Sequence, residues 1–230
     1  MENIILKLSI ALVPIMLAIV CHEVAHGFIA WRYGDPTARM LGRLTLNPVK
    51  HIDLVGSILV PGFLFLSNSG FLFGWAKPVP VVYENLRNPK RDMIWVAAAG
   101  PIVNVILAVL SAVLLRVITG FLNPALSADS SRFMVIEPIV LMLAYSIKIN
   151  LLLAIFNMFP LPPLDGGRVL SGLLPWKQAH MLARIEPYGF MIIMFLIFFT
   201  GIFSYINTLM YFGIKLLAGP QAGLVLGIFR

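Results

Sequence analysis

Charged residues are scarce in this 230-residue chain. Asp, Glu, Lys and Arg make up 12% of it, against about a quarter in soluble domains. Cysteine occurs once, at Cys21, which excludes an intramolecular disulfide and leaves the redox compartment open. No long polar stretch offers room for an appended globular module, so we expect a single integral-membrane domain over residues 1–230. No block of Lys or Arg stands out either. The net charge of +7 is scattered through short loops, which argues against a nucleic-acid partner. The opening MENIILKLSIALVPIMLAIV lacks a small-x-small cleavage site, so the first apolar segment is expected to stay rather than leave as a signal peptide. What the chain does hold is apolar: 60% hydrophobic residues and a mean hydropathy of +0.93. That composition predicts an all-α, polytopic protein of the lipid bilayer, a bundle of about four to six transmembrane helices.

The runs follow from the pattern. Residues 4–31, 93–118 and 133–159 read as spans, with Pro14 a point where the first can bend. Residues 187–217 are long enough for one tilted helix or two short ones, with a polar loop over 166–186 ahead of them. The run at 54–66 is too short to cross and holds Pro61-Gly62, so it reads as a re-entrant or interfacial segment. The next stretch, GFLFGWAKPVPVVYE, alternates Gly, aromatic and β-branched residues. It predicts a short extended strand or hairpin near the cytoplasmic face, with Pro78 and Pro80 confining it to an edge.

Basic residues orient the bundle. If 54–66 does not cross, Arg32, Arg39, Arg43, Lys50, Lys77, Arg87, Lys90 and Arg91 share one side with Arg168, Lys177 and Arg184, while the loop at 121–132 holds only Arg132. This is a strong positive-inside bias, so the basic side is expected to be cytoplasmic and the N-terminus outside. The setting we expect is the plasma membrane of a prokaryote.

Against this apolar background, VCHEVAHGF at 20–28 stands apart, because ionisable groups in lipid are costly and mark function by default. His22 and His26 are four apart and share a helix face, with Glu23 beside the first. H-E-x-x-H offers two imidazoles for zinc and a carboxylate as general base. A catalytic zinc needs a third protein ligand. His51, His180, Glu84 and Glu186 read as ordinary loop residues, and Glu137 lies at the far end of the third span. Asp165 follows FPLPPL and precedes Gly166-Gly167. From its residues alone it reads equally well as a ligand or as the N-cap of the helix beginning GGRVL. Asn104 reads as a polar tie between helices, and Lys148, in mid-span, as a residue that must snorkel or pair.

HEVAH in one span and NMFPLPPLDGG at the end of another resemble the site-2 protease family of intramembrane zinc metalloproteases. The second motif of that family, N-x-x-P-x-P-x-L-D-G, is met by Asn157, Pro160, Pro162, Leu164, Asp165 and Gly166, and FGWAKPVPV and AAGPIVN extend the likeness. The resemblance implies one catalytic zinc held by His22, His26 and Asp165, with Glu23 as base. It also implies that Asn157, Pro160 and Pro162 hold the substrate near the metal. Many members carry PDZ or CBS modules; this chain resembles the compact branch without them. The implied activity is hydrolysis of peptide bonds in or near transmembrane segments of membrane proteins, in regulated intramembrane proteolysis. On this reading Asn157 is either an oxyanion donor or a polar tie between helices. The extended stretch either pairs with unwound substrate or serves only as an interfacial hairpin anchored by Trp75. Two competing readings are a membrane-anchored protease cutting juxtamembrane segments and a non-catalytic membrane metal-binding or transport protein.

Overall fold

The computed structural model describes residues 2–67, 74–121 and 130–228. Three long helices form the frame: α1 (Glu2–Arg32), and, beyond the short α2 (Thr37–Met40) and α3 (Val60–Leu66), α4 (Pro89–Phe121) and α5 (Ser130–Asn157). Then come α6 (Asp165–Leu173), α7 (Trp176–Ala183), α8 (Gly189–Phe199), α9 (Ile202–Ala218) and α10 (Ala222–Gly227). Five stretches are long and apolar enough to cross a membrane: Ser9–Arg32, Pro89–Phe121, Ile136–Asn157, Trp176–Phe199 and Ile202–Gly227.

The helices are built inside out relative to a soluble bundle. On α4, Ile102, Val105, Ile106, Val109, Val113 and Val117 are exposed, while Gly100, Asn104, Ala108, Ser111 and Ala112 are buried. Lipid tails are as apolar as these exposed side chains, so association rests on close packing of small residues and on interhelical hydrogen bonds. α4 accordingly packs on α1, α5 and α6, and α5 packs on α1 and α9. Ala108, Ala112, Ala144, Ile147, Ile206, Met210 and Ile214 make the main core of α4, α5 and α9. Lys148 resolves its mid-span position by donating from Nζ to the Ile228 carbonyl at 2.9 Å, which ties the end of the chain to α5.

One expectation here needs correction, and two are refined. The polar stretch 166–186 is no loop: it carries α6 and α7, and α7 runs with α8 in one apolar stretch. The region 187–217 divides into two helices at Gly201, whose φ of +67° favours glycine. Residues 54–66 are helical, a π-helical turn over Leu54–Leu59 leading into α3, and fall short of a span. Asp53 starts that turn, its carboxylate accepting from Gly56 N–H at 2.7 Å.

The predicted strand is not formed in the part of the stretch that is described, from residue 74 on. Among the described residues there is no β-strand; residues 68–73, the first part of the predicted hairpin, and most of the loop 121–132 lie outside them. Residues 74–82 are extended, but their partners are not another strand. Trp75 N–H donates to Gly56 O (3.0 Å), Lys77 N–H to His51 O (2.9 Å), Val79 N–H to Glu23 Oε2 (2.8 Å) and Val82 N–H to Asp35 Oδ2 (2.8 Å). Arg43 adds a bond to Lys77 O at 2.9 Å. Pro78 and Pro80 have no N–H, so no ladder can continue along the other edge. A segment held by side chains and loop carbonyls satisfies its backbone without becoming a sheet.

Candidate metal centre

Three elements meet at one point. α1 supplies His22 and His26 from consecutive turns of one face, and α6 supplies Asp165 from its first turn. Asp165 reaches them because Gly166 and Gly167 let α6 press onto the chain just before it. A Cβ at Gly166 would overlap the Met158 carbonyl, and one at Gly167 the Pro162 backbone. Asp165 is not the cap of its helix, since Leu164 holds the N-cap position. Its carboxylate turns instead toward α1.

His22 Nε2 lies 3.0 Å from His26 Nε2, and Asp165 Oδ2 lies 3.1 and 3.4 Å from the two. Among the described residues, no other group of His, Cys, Asp or Glu is arranged in this way. α4 determines what these atoms can be. His22 Nδ1 faces Asn104 Oδ1 at 2.5 Å, and His26 Nδ1 faces Val96 O at 2.7 Å. Both partners are acceptors, so each Nδ1 carries the proton and each neutral ring presents a bare Nε2. Asp165 Oδ2 is buried and has no hydrogen-bond partner. Three acceptor atoms thus crowd together in a buried site. A proton can relieve one pair of them, whereas one cation serves all three. The donor set suits zinc, and the atoms stand within a few tenths of an ångström of its needs: ligands about 2.0–2.2 Å from a tetrahedral ion are about 3.3–3.6 Å apart.

The face of α4 beneath the rings is shaped to admit them. Val96, Gly100 and Asn104 stand on successive turns. A Cβ at Gly100 would lie 2.5 Å from His26 Nε2 and 2.6 Å from His22 Nε2, so no other residue fits there without displacing a ring. Glu23 is on the same turn as His22, one oxygen held by Val79 N–H; its Oε1 makes no hydrogen bond among the described residues.

The other expected residues fall in different places. Asn157 donates its amide to Leu153 O at 3.0 Å, a bond within its own helix, which leaves a second amide hydrogen for another acceptor. Pro162 is buried beside Gly167, whereas Pro160 is exposed. His51 is not a loop surface residue; it is 1% exposed, and its Nε2 meets Thr45 O at 2.9 Å. Glu186 pairs with Arg168 at 3.7 Å, and both line a cavity of about 530 Å³ with Tyr83, Lys90, Pro162 and His180. The sequence reading passed over Gly100 and Asn150. Asn150 was detectable by the rule that singled out Asn104, a polar residue inside an apolar run; Gly100 was not, since its role exists only where α4 meets α1.

Comparison with known proteins agrees with this chemistry. The profile of peptidase family M50 matches residues 10–200. YwhC of Bacillus subtilis is 36% identical over 194 residues, covering 84% of this chain and 82% of that one. Rip2 of Mycolicibacterium smegmatis is 30% identical over 183 residues, 79% of this chain and 64% of its own length. Both carry zinc metalloprotease in their names. No solved structure matches the chain. The sequence match and the membrane helices around a buried His-His-Asp cluster together show that this chain belongs to peptidase family M50, the site-2 protease family, and is an integral-membrane zinc metalloprotease.

Proposed function

We propose that the chain is an intramembrane endopeptidase that cuts transmembrane segments of other membrane proteins, with His22, His26 and Asp165 holding its zinc. The observation that carries this reading is the triangle of bare acceptor atoms, buried among apolar helices, with Glu23 on the same turn. When bound, zinc polarises the scissile carbonyl and makes water a stronger acid. Glu23 takes the proton of the attacking water on Oε1 and gives it to the leaving amine. Val79 N–H holds Oε2, so the carboxylate is aimed before substrate arrives. Asn157, with a hydrogen to spare, donates to the developing oxyanion or to the unwound substrate, and Pro160 and Pro162 shape the chain beside it. The cavity beyond Pro162 carries Arg168, Lys90 and Glu186 in its walls.

The orientation belongs to the same proposal. The basic residues of 32–91 and 166–186 face the cytoplasm, 54–66 dips into the bilayer and returns, and the metal lies near the cytoplasmic side of a prokaryotic plasma membrane. One membrane domain carries the activity. The test is co-expression with a panel of single-span membrane proteins, wild type against Glu23→Gln. Cleavage within a span by wild type alone is the expected result. A Glu23→Gln protein that holds zinc and cleaves at the wild-type rate removes this mechanism. A wild type that binds zinc and cuts nothing points to metal binding or transport, and cuts outside the lipid boundary point to juxtamembrane proteolysis.

A further inference from the structure

A chain of buried polar side chains runs away from the metal centre along the contact of α4 and α5. Asn104 is 0% exposed, Asn150 1%, and Ser111 and Ser146 are each 8% exposed. Polar groups inside apolar spans are expensive unless every one is satisfied. Here each has a partner, and for the two asparagines the partners leave only one arrangement of donors and acceptors.

The direction is imposed from two backbone carbonyls, which can only accept. Asn150 Nδ2 lies 2.9 Å from Ser146 O and 3.2 Å from Ser146 Oγ, so the Asn150 amide must turn its N–H₂ that way. Its Oδ1 then faces Asn104 Nδ2 at 2.8 Å, and must be met by N–H. Asn104 Nδ2 also reaches Ala18 O at 3.2 Å, the second carbonyl, so its two hydrogens are both committed. Asn104 Oδ1 is thereby left facing His22 Nδ1, which must carry a proton. Behind Asn150, Ser146 Oγ and Ser111 Oγ share a hydrogen at 2.8 Å, which fixes the α5 end of the relay to α4.

We propose that Asn104 is a positioning residue for the metal, and that Asn150, backed by Ser146 and Ser111, sets the direction of the Asn104 amide and so locks His22 in the tautomer that turns a bare Nε2 to the metal. This rests on the reading of His22, His26 and Asp165 as ligands. A free imidazole in water exchanges between two tautomers, and only one is competent here. Locking it removes that choice before the metal arrives. Second partners of ligating histidines are typically worth ten- to a hundredfold in metal affinity.

The test uses the full chain in detergent, labelled with ¹⁵N-histidine and stripped of metal with a chelator, so that imidazole shifts distinguish protonated from bare ring nitrogens. Wild-type His22 should carry its proton on Nδ1. Asn104→Leu should give mixed tautomers and a zinc Kd about ten- to a hundredfold weaker, at unchanged stoichiometry. Asn150→Leu, which touches no ligand, should move both readouts the same way, by roughly three- to tenfold in Kd. Asn104→Asp, which keeps an acceptor oxygen, should restore the Nδ1–H form. A wild-type His22 protonated on Nε2 would overturn the proposal, and so would wild-type zinc affinity in both leucine variants. If Asn104→Leu does not fold, the wild-type spectrum and Asn150→Leu decide. Failure of the relay alone shows as unchanged affinity in the Asn variants while Asp165→Ala still loses zinc. Zinc kept at full affinity by Asp165→Ala overturns the ligand set, and the proposal with it.

Discussion

Val79 donates its backbone N–H to the carboxylate of Glu23 at 2.8 Å, joining an extended segment to the residue beside His22. Glu23 therefore has two tasks, one for each oxygen, and two substitutions separate them. Glu23→Gln keeps an acceptor for Val79 and removes the base. It should retain zinc and the slow hydrogen exchange of the Val79 amide while losing cleavage by about 10²–10⁴-fold. Glu23→Ala should lose activity as well, and exchange at Val79 should rise about tenfold, the worth of one hydrogen bond. Equal exchange in both variants would show that the contact does not hold the segment.

Gly100 predicts a steric result. Gly100→Ala places a methyl group 2.5–2.6 Å from the Nε2 atoms of His26 and His22, and helix α4 cannot move without disturbing its contacts. Bound zinc should fall by at least roughly tenfold, the scale of losing ligand orientation. Gly120→Ala, on the same helix but with nothing within 4 Å of the new methyl, should bind zinc normally and be stabilised by about 0.5–1 kcal/mol. Metal analysis and thermal melting of the pair check both outcomes.

Asp165 and His51 should fail in opposite ways. Asp165→Ala removes the buried oxygen that faces both imidazoles, and purified protein should lose its metal. His51→Ala should keep its metal and melt earlier, because it leaves Thr45 O without its partner and a void of imidazole size. His180→Ala, on an exposed side chain, should do neither.

Acid should loosen the segment from its other end. Asp35 is fully buried, and its carboxylate accepts from Thr37 N–H, Thr37 Oγ1, Val82 N–H and Asn85 Nδ2. Burial would raise its pKa, but these donors outweigh it and hold the carboxyl below its ordinary value. The folded pKa is the lower one, so the stabilisation is full above the unfolded value of about 3.9 and is lost as pH falls through the folded value. Cleavage of residues 74–85 by an added acid-active protease should accelerate below about pH 4 in the wild type. Asp35→Asn should be open already at neutral pH and change little on acidification.

Labelling tests the orientation. In a Cys21→Ser background, single cysteines at Met40, Asn85 and Gln178, all exposed, should react from the cytoplasmic side, and one at position 127 from outside. Opposite accessibility at 40 and 85 would mean that residues 54–66 cross.

The parts of this protein that could be read in advance are those written in local spacing. Apolar run length predicted the long spans, and a four-residue spacing placed His22 and His26 on one face. Asp165 was ambiguous because an aspartate before Gly-Gly caps helices as readily as it binds metal. Only the folding of α6 onto α1 turns its carboxylate away from the cap and toward the two imidazoles. The extended stretch was legible as extended, but its pairing was not. Its partners are Gly56 O, His51 O, Glu23 and Asp35, scattered through the preceding sequence, and no periodicity announces them. The helices of 166–186 were hidden by their charges, among them the half-buried Arg168 and the exposed Lys177 and Arg184.

The cluster of His22, His26 and Asp165, with α4 between, has a consequence for the order of events in biogenesis. On the proposed ligand set, a chain that has inserted α1 and α4 owns two oriented imidazoles but no third donor. Synthesis at about 5–20 residues per second separates the two motifs by roughly 7–28 seconds. During that interval the nascent protein is a membrane-embedded helix pair without a complete metal site. On that ligand set hydrolytic competence arrives only with Asp165, after α1, α4 and α5 have been synthesised, so the enzyme is inert while those spans are being made.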